Sequence, residues 1–500
     1  MDVTRAGGIA RTREEGGRVS ADFGYGFATV QDPVWSVSQV LLATGGRFLG
    51  GRPELRFRSV STDTRTVGAG DLFLALPGER FDGHQFIGEA VRKGATGVVV
   101  SRLPEALPPV TIILVEDTLR ALGDLAAYRR SLLPHLRVVA ITGSSGKTTV
   151  KEMVAAILGQ RHKVLKTQGN FNNLVGLPLS LLPVGYRHDV AVLEMGMSHP
   201  GEIARLTEIA DPDVACINNV QEAHLAGLGS IEGVARAKGE LFVGLKSWGK
   251  MAVNLDDRRI RALARRCPQE KITFGRSPRA FVRATRIHNG GENGMAFTLH
   301  LGPERARVRL KVFGPHNVAN ALAAAAVAHG AGLRLPEIAA GLESFSSYDK
   351  RLQVLEVEGL KVVNDTYNAN PSSMLAALEA LQGLSRGRRT VVALGDMLEL
   401  GRQSVAAHRF VGEAVARLGF DYLFTVGEFA ESVLEAARTA GMAADRTRKF
   451  NDKREVAAAL HGMRQGQELQ PGDWLLIKGS RGMQMEKIIA ELTNGRGGTH

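Results

Sequence analysis

The chain has 500 residues, of which 44% are hydrophobic and 23% are charged, and its formal net charge is +12 at pH 7. This length and composition are typical of a soluble protein with several domains. The sequence has no run of about eighteen apolar residues that could cross a bilayer. Its two cysteines, Cys216 and Cys267, are too few for a disulfide framework or a multi-cysteine zinc site. We interpret the arginines as spread along the chain without an aromatic-flanked basic platform, so we predict small polyphosphate substrates and no nucleic-acid binding. The few cysteines predict a reducing cytoplasm, and we predict no membrane insertion.

The first part of the chain divides into an extension and a small α/β unit. Residues 1–33 are rich in Gly, Arg and Glu without apolar periodicity, so we predict a disordered N-terminal extension. Apolar residues at helical spacing follow, and they predict a helix that stops at the glycine pair beginning with Gly45. A strand at 97–100 and further alternation of strands and helices predict a first α/β domain over residues 34–133.

The rest of the chain alternates strands and helices in two longer units. We predict a central domain over residues 134–346, which opens with a strand at 137–141 and ends with an alanine-rich core helix. The third domain, over residues 347–500, alternates so regularly that it predicts a doubly wound, mainly parallel sheet. The predicted fold class is therefore α/β with three domains. Its third domain has predicted strands at 360–367, 390–394, 422–426 and 474–478, helices at 372–384 and 405–418, and a final helix.

A glycine-rich segment follows the strand at 137–141 and opens a helix that runs to about Leu158. Its glycines let backbone N–H groups turn toward phosphate oxygens, and the start of the helix adds positive potential. Lys147 would reach the outer phosphates, and Thr148 would offer its hydroxyl to Mg2+. The segment predicts a nucleotide-binding loop, although its glycines are closer together than in the commonest pattern; a glycine-rich helix cap is the alternative, and a kinase or GTPase stays open. The loop residues are Gly143, Ser144, Ser145, Gly146, Lys147, Thr148 and Thr149.

Three later residues are candidates for a metal site. Glu194 ends an apolar strand and His224 follows a strand-like run at 214–220, so we expect both at the sheet edge that carries the phosphate loop. Glu194 offers the oxygen ligands that Mg2+ prefers, whereas His224 is open between a ligand and a structural hydrogen-bonding residue. Lys238 cannot ligate a cation as an ammonium group, so its spacing alone favours a solvated helix residue.

Taken together, five segments make the chain similar to the Mur ligase family, which builds the peptide of peptidoglycan. They are the phosphate loop, Glu194-Met195-Gly196-Met197, Ala223-His224-Leu225, Ala237-Lys238-Gly239-Glu240 and His316-Asn317-Val318-Ala319-Asn320. The resemblance extends from about Trp35 to the C-terminus. It implies an N-terminal domain for a UDP-linked substrate, a central ATP-binding domain, and a C-terminal Rossmann-like domain that closes over the nucleotide.

The resemblance also implies a catalytic centre that uses ATP and two Mg2+ ions. In this family the lysine that matches Lys238 reacts with carbon dioxide, and the carbamate is an anionic oxygen ligand for the second Mg2+, beside His224. Thr148 and Glu194 complete the implied metal ligands. Arg351 would arrive on domain closure and neutralise charge on the transferring phosphoryl group. The implied adenine and ribose contacts are Asn172, Asn173, Asn320 and Asp365.

Motifs at 61–65, 78–84, 365–371, 394–401 and 478–481 resemble those of family members that add D-alanyl-D-alanine to UDP-N-acetylmuramoyl-tripeptide. The resemblance implies that the tripeptide carboxylate takes the γ-phosphate of ATP, and that the amine then attacks the acyl phosphate. We expect the enzyme to act as a monomer. The carboxylate of Asp365 would hold the incoming ammonium group, and the alternative role for Asp365 is to hold the ATP ribose. The implied substrate contacts are Ser61, Thr64, Arg65, Asp82, His84, Tyr367, Asn368 and Asn370.

Other functions stay open at this point. Ligases that add a diamino acid to the muramoyl chain, or glutamate to folate, share the chemistry but not the third-domain motifs. A regulatory nucleotide switch would need the loop without Lys238, and a binding protein without activity would not need Lys147, Glu194 and Lys238 together. Because the third domain must close over the nucleotide, we expect it to lie away from the phosphate loop in an unliganded structure.

Overall fold

The computed structural model describes residues 34–78, 81–103, 108–347 and 350–494. The predicted N-terminal extension, residues 1–33, lies outside these ranges. The described chain forms three open α/β sheets one after another, which confirms the predicted fold class. No helix within these ranges has both the length and the apolar character needed to cross a membrane.

The first unit is a five-stranded sheet with short helices. Its elements are β1 (Trp35–Ser36), α1 (Val37–Thr44), β2 (Arg47–Gly50), β3 (Arg56–Phe57), β4 (Val60–Ser61), β5 (Leu72–Leu74), α2 (Ile87–Arg92), β6 (Gly97–Val100), β7 (Thr111–Leu114) and α3 (Thr118–Ser131). The strand order is β2-β7-β6-β5-β4; β2 runs antiparallel to β7, and the other strands run parallel. Ser36 caps α1, and Gly45 ends it with a left-handed φ of 63°, so the predicted stop is confirmed.

The central unit is a nine-stranded sheet covered by helices. Its elements are β8 (Arg137–Thr142), α4 (Lys147–Leu158), β9 (Val164–Lys166), α5 (Gly176–Leu181), β10 (Val190–Glu194), α6 (Glu202–Ala210), β11 (Val214–Ile217), α7 (Leu225–Leu228), α8 (Ile231–Val243), β12 (Lys250–Asn254), α9 (Arg258–Arg265), β13 (Glu270–Phe274), β14 (Val282–Asn289), β15 (Met295–Leu301), β16 (Glu304–Leu310), α10 (Pro315–Gly330) and α11 (Leu335–Ser344). The strand order is β16-β15-β14-β13-β12-β11-β8-β10-β9. β15 runs antiparallel to both β14 and β16, and all other neighbouring strands run parallel.

The structure confirms the predicted core helix and corrects one predicted strand boundary. Residues 321–328 of α10 are buried all round, because alanine side chains let the helix lie close to the sheet. The strand that we expected to run through residues 214–220 ends at Ile217. Asn218 and Asn219 leave the sheet there because their side chains turn to the phosphate loop.

The third unit is a six-stranded sheet. Its elements are β17 (Gln353–Val357), β18 (Leu360–Asp365), α12 (Pro371–Ser385), β19 (Thr390–Gly395), α13 (Ser404–Leu418), β20 (Tyr422–Val426), α14 (Ala430–Thr439), β21 (Thr447–Phe450), α15 (Lys453–Gln465), β22 (Trp474–Lys478) and α16 (Lys487–Asn494). The order is β17-β18-β22-β19-β20-β21, with β17 antiparallel to β18 and the rest parallel, as predicted. The strands predicted at 422–426 and 474–478 match β20 and β22, whereas β18 ends two residues early.

One hydrophobic core joins the first unit to the central unit. It contains Trp35 and Leu122 from the first unit together with Leu206 and Leu241 from the central unit. At the same contact the guanidinium of Arg130, which is 5% exposed, lies 3.4 Å from a carboxylate oxygen of Asp213. The third unit has cores on the two faces of its sheet, and only Phe313 of the central unit joins one of them among the buried residues of the described chain. The first two units are therefore one packed body, to which the third is attached.

Candidate active site

The glycine-rich loop lies between the end of β8 and the start of α4, at the carboxyl edge of the central sheet. Gly146 has a φ of 75°, and a Cβ atom there would lie 2.4 Å from Oδ1 of Asn320. The backbone N–H of Ser145 donates to Oδ1 of Asn219 at 2.9 Å, and Nδ2 of Asn218 donates to the Ser145 carbonyl at 3.0 Å. The loop is thus held open by asparagine side chains from beyond β11, with its remaining N–H groups and the helix start facing the cavity.

Lys147 lies folded along its own loop. Its ammonium donates to the Gly143 carbonyl at 2.8 Å. Burial lowers the pKa of Lys147, Glu194 raises it in part, and Arg351 lowers it further. Two cationic side chains therefore lie beside the loop, together with the carboxylates of Glu194 and of Glu399, which also raises the pKa of Lys147.

A chain of hydrogen bonds crosses from the central unit to the third unit at this point. Nη2 of Arg351 donates to Oγ1 of Thr148 at 2.7 Å, and that hydroxyl donates to Oε2 of Glu194 at 2.7 Å. The other carboxylate oxygen of Glu194 accepts from Nδ2 of Asn172 at 2.8 Å. The guanidinium of Arg351 also lies 3.9 Å from the centre of the Tyr367 ring. The expectation that the third unit lies away from the phosphate loop is therefore wrong for this structure.

Arg351 keeps binding capacity in this position. Its Nε is buried and has no hydrogen-bond partner within the described ranges. A buried donor without a partner is unfavourable unless a ligand satisfies it. The guanidinium therefore has a free N–H beside the phosphate loop.

His224 lies differently from the sequence prediction. It is seven residues beyond the end of β11, at the start of α7, where its backbone has a left-handed φ of 55°. The strand-like run that we expected before it is therefore shorter than predicted, and His224 lines the same cavity as the phosphate loop. Its Nδ1 lies 2.8 Å from Oε2 of Glu399, which belongs to the loop after β19 of the third unit.

Lys238 is buried in α8 with 1% of its surface exposed, so the solvated alternative is wrong. Burial first, and then the nearby charge of Lys147, lower the pKa of Lys238 well below its usual value. No carboxylate in the described ranges forms an ion pair with it. Burial and the nearby Lys147 charge therefore favour the neutral form of its amine. Side chains of His, Cys, Asp and Glu alone do not group into a metal site in this part of the chain.

The polar cluster after β18 faces the phosphate loop. Oδ2 of Asp365 lies 2.5 Å from Nζ of Lys478, which is 2% exposed at the end of β22, and Lys478 also donates to the Asn368 carbonyl. Burial lowers the pKa of the neighbouring His316 to about 4. Nδ2 of Asn370 donates to Oγ of Ser145 at 3.2 Å. Asp365 is thus already paired, which the sequence prediction for its carboxylate did not include.

A cavity of about 1100 Å3 lies between the central and third units and contains most of the predicted residues. Three of them take structural positions in its wall: Asn172 binds Glu194, Asn173 caps the start of α5, and Asn320 lies under the phosphate loop. Gly143 and Lys238 lie behind the lining. The predicted residues that line the cavity are Ser144, Ser145, Gly146, Lys147, Thr148, Thr149, Asn172, Asn173, Glu194, His224, Asn320, Arg351, Asp365, Tyr367, Asn368 and Asn370.

The predicted substrate residues of the first unit form a separate group. Ser61 ends β4, and Thr64 and Arg65 lie in the turn that follows, outside the lining of the large cavity. The carboxylate of Asp82 accepts from the backbone N–H of His84 and lies 2.7 Å from its Nδ1. These hydrogen bonds, the largest being from the His84 backbone, lower the pKa of Asp82 to about 2. The group lies at the carboxyl ends of β4 and β5, where α/β sheets bind ligands.

Sequence reasoning gave no role to several residues that build the site, although His316, Glu399 and Lys478 lie within motifs that carry the family resemblance. Asn218, Asn219, His316 and Lys478 contact the loop or the polar cluster, and Glu399 contacts His224. The order of the strands carries the missing signal, because β11 and β22 lie next to β8 and β18 in their sheets. A sequence shows strand ends but does not show which strands are neighbours.

The sequence matches three family descriptions in chain order. Residues 56–130 match the Mur ligase family catalytic domain, residues 141–328 match the Mur ligase middle domain, and residues 350–481 match the Mur ligase glutamate ligase domain.

Similar whole proteins agree with these matches. The chain is 38% identical to the UDP-N-acetylmuramoyl-tripeptide–D-alanyl-D-alanine ligase of Bacillus subtilis over 87% of this chain and 92% of that protein. It is 39% identical to the ligase of the same name from Escherichia coli over 91% and 98%. The crystal structure of MurF from Acinetobacter baumannii aligns with a TM-score of 0.86 at 36% identity, covering 93% of this chain and all of that one. The ADP complex of Thermotoga maritima MurF ligase aligns with a TM-score of 0.76 at 29% identity, covering 87% and 97%.

Proposed function

The chain belongs to the Mur ligase family, and we propose that it is an ATP-dependent ligase that joins D-alanyl-D-alanine to UDP-N-acetylmuramoyl-tripeptide, giving a pentapeptide precursor of peptidoglycan. The observation that carries the proposal is the meeting of Thr148, Glu194 and Arg351 at the phosphate loop. Relatives that cover nearly the whole chain have this activity in their names. The geometry at the phosphate loop supports the position of the ATP site, and the named activity of the relatives supports the choice of substrate.

The reaction starts with ATP in the cavity between the central and third units. The terminal carboxylate of the tripeptide attacks the γ-phosphorus, the bond to ADP breaks, and an acyl phosphate forms. Lys147 leaves the Gly143 carbonyl for the outer phosphates, and the free N–H of Arg351 binds the transferring group. The amine then attacks the acyl carbon and phosphate leaves.

The donor set fits two Mg2+ ions. Thr148 and Glu194 would hold one through a hydroxyl and a carboxylate that already lie 2.7 Å apart. His224 and a carbamate on Lys238 would hold the other. Burial lowers the pKa of Lys238 and so favours the neutral amine, which would attack carbon dioxide and lose a proton to give the carbamate anion. Bound Mg2+ would neutralise charge on the phosphates. The carbamate explains why a lysine is buried here without a counter-ion.

The amine site lies in the polar cluster after β18. A dipeptide has one ammonium and one carboxylate, and the cluster offers Asp365 and Lys478 for these two charges. The hydroxyl of Tyr367 and the amide groups of Asn368 and Asn370 line the same side of the cavity and suit neutral peptide groups. A free diamino acid would need further charged partners.

The other predicted contacts and the domain bounds complete the proposal. Ser61, Thr64, Arg65, Asp82 and His84 bind the UDP-linked substrate at the edge of the first sheet. The ribose alternative for Asp365 would use its Oδ1. Asn172, Asn173 and Asn320 support the nucleotide site from its wall. The three units act as domains over residues 34–133, 134–346 and 347–500. The enzyme acts as a monomer in the cytoplasm, where ATP is available.

One assay tests the proposed function. The enzyme is incubated with ATP, Mg2+, a UDP-muramoyl tripeptide and either D-alanyl-D-alanine, L-alanyl-L-alanine or a free diamino acid, and the product is identified by mass. We expect product with D-alanyl-D-alanine at the highest rate. A higher rate with either competitor would reject this substrate while keeping the ligase chemistry; absence of ADP formation with every amine would favour a nucleotide switch.

A further inference from the structure

The positive charge of the chain is concentrated in one segment. Residues 258–311 contain twelve arginines and two lysines against three glutamates, a formal charge of +11 out of the +12 of the whole chain. The other residues contain 49 basic and 48 acidic side chains. Our interpretation that the arginines are spread along the chain did not include this local excess. This excess of charge is not used by the proposed ligase chemistry.

The segment folds into one edge of the central sheet. It contains α9 and the strands β13 to β16, which lie side by side in the strand order. Val282, Leu299 and Val308 point to the core under α10 and α11. Because side chains alternate along a strand, the opposite face points to the side of the sheet where α9 packs on Met251 and Val253.

That opposite face is exposed and basic. Arg283 on β14, His300 on β15 and Arg305 on β16 are directly opposite one another across the three strands, and Arg307 and Arg309 follow on β16. Burial lowers the pKa of His300, and the charges of Arg283, Arg305 and Arg286 lower it further. The cations are therefore close enough to act on one another. We call the outward residues of β14, β15 and β16 the arginine face.

Most of these charges lack a carboxylate partner in the part of the chain that the structure describes. Of the fourteen basic residues in the segment, only Arg259 forms an ion pair within the described ranges, with Glu232 at 2.8 Å. The nearest structural carboxylate at the edge, Glu343, accepts from the backbone N–H of Arg309 at 2.9 Å. Repulsion among unpaired like charges is unfavourable, so a surface of this kind favours binding of an extended anion.

The shape and composition of the arginine face select among anionic partners. The outward positions of β14 to β16 contain Arg, Thr, His and Ala but no Phe, Tyr or Trp, the larger rings that most often stack on an unpaired base. A hollow of about 440 Å3 at its edge is lined by Arg307, Arg309 and Lys311 together with Asn293, Leu310 and Glu343, and it has room for a phosphate-bearing headgroup. Ile287, which is 44% exposed, adds an apolar side chain among the cations. A broad basic face with few apolar residues is typical of peripheral contact with an anionic bilayer.

We propose that the arginine face docks the enzyme on the surface of a membrane that contains anionic phospholipids, without insertion into it. The contact depends on charge and is therefore weakened by salt. The face is on the antiparallel edge of the central sheet, and none of its residues among Arg283, Arg305, Arg307 and Arg309 lines the large cavity. Docking and turnover use separate surfaces.

Sedimentation with vesicles tests the proposal. The full chain is mixed at low salt with vesicles of phosphatidylcholine alone, or with vesicles that also contain phosphatidylglycerol. We expect binding only to the second kind, and about a hundredfold weaker binding for the variant Arg305→Glu, Arg307→Glu, Arg309→Glu. The matched control, Arg388→Glu, Arg417→Glu, Lys449→Glu, reverses three exposed charges of the third unit and should bind nearly as well as the parent.

Further measurements make each outcome decisive. Turnover and melting temperature should be unchanged in both triple variants, and the double variant Arg283→Glu, Arg286→Glu on β14 should lose at least about tenfold in vesicle affinity. Equal loss in the control and the β16 variant would overturn the proposal, as would binding to phosphatidylcholine alone. Tighter, variant-sensitive binding to a DNA or RNA oligonucleotide than to vesicles would assign the face to nucleic acid instead.

Discussion

Oε2 of Glu399 lies 2.8 Å from Nδ1 of His224, and both residues have left-handed backbones, with φ values of 66° and 55°. Such conformations cost about 1 kcal/mol or more for residues other than glycine. Two strained loops, one from the central unit and one from the third, therefore meet at a charged contact beside the phosphate loop. With the contact between Arg351 and Thr148, it joins the third unit to the central unit across the cavity.

We expect Glu399→Ala to weaken closure of the third unit. The variant loses the carboxylate that bonds His224, so KM for ATP should rise severalfold more than kcat falls. Small-angle scattering of the free enzyme should show a larger radius of gyration. Glu413→Ala, at an exposed position of α13, is the matched control and should behave like the parent. Unchanged KM and scattering in Glu399→Ala would show that the contact does not hold the units together.

Lys147→Ala should abolish ligation and leave the fold intact, because the ammonium of Lys147 contacts only the loop carbonyl of Gly143. Phosphate release should fall at least about a thousandfold, as expected for loss of a charge that stabilises a phosphoryl-transfer transition state. Circular dichroism should be unchanged. Lys163→Ala, an exposed lysine after the same helix, should keep full activity. Substantial turnover by Lys147→Ala would contradict the role of the loop.

Lys238→Ala should be nearly as damaging, and a short carboxylic acid should restore part of the activity by supplying the missing oxygen ligand. The parent enzyme should incorporate 13C from labelled bicarbonate at one site, detected by NMR. Lys238→Met, which fills the same buried space without an amine, should lack that signal. A fully active Lys238→Ala, or a carbamate signal that survives in Lys238→Met, would reject the carbamate.

The first unit should lose stability in acid through Asp82. Its pKa is lowered from 3.8 to about 2, first by the hydrogen bond from the His84 backbone. A carboxyl group with a lowered folded-state pKa stabilises the fold above its ordinary pKa, and that stabilisation is lost as pH falls through about 2. The melting temperature of Asp82→Asn should lie below that of the parent at about pH 5, and the gap should close toward about pH 2. A gap that is constant with pH would show that the charge of Asp82 does not matter.

The sequence was sufficient where a local pattern determines the structure. β20 and β22 match their predicted bounds because each is a continuous apolar run buried on both faces of a parallel sheet. The phosphate loop was predictable because its glycines, lysine and threonine must follow one another directly between a strand and a helix.

Prediction failed where distant residues decide the local structure. β11 ends early because Asn218 and Asn219 bind a loop some seventy residues away in sequence. Lys238 is buried because α8 packs under the site, which its neighbours in sequence do not reveal. The pairing of Asp365 with Lys478 joins the ends of two strands that are adjacent only in the folded sheet.

The core shared by Trp35, Leu122, Leu206 and Leu241 has a consequence for how the protein melts. Apolar contacts that cross between two units make their unfolding cooperative, so the first and central units should lose structure in one calorimetric transition. The third unit, with cores of its own, is free to unfold separately. The chain therefore has three large sheets but two thermodynamic units. A nucleotide that binds between the central and third units couples the two melting events, because it binds only when both thermodynamic units are folded.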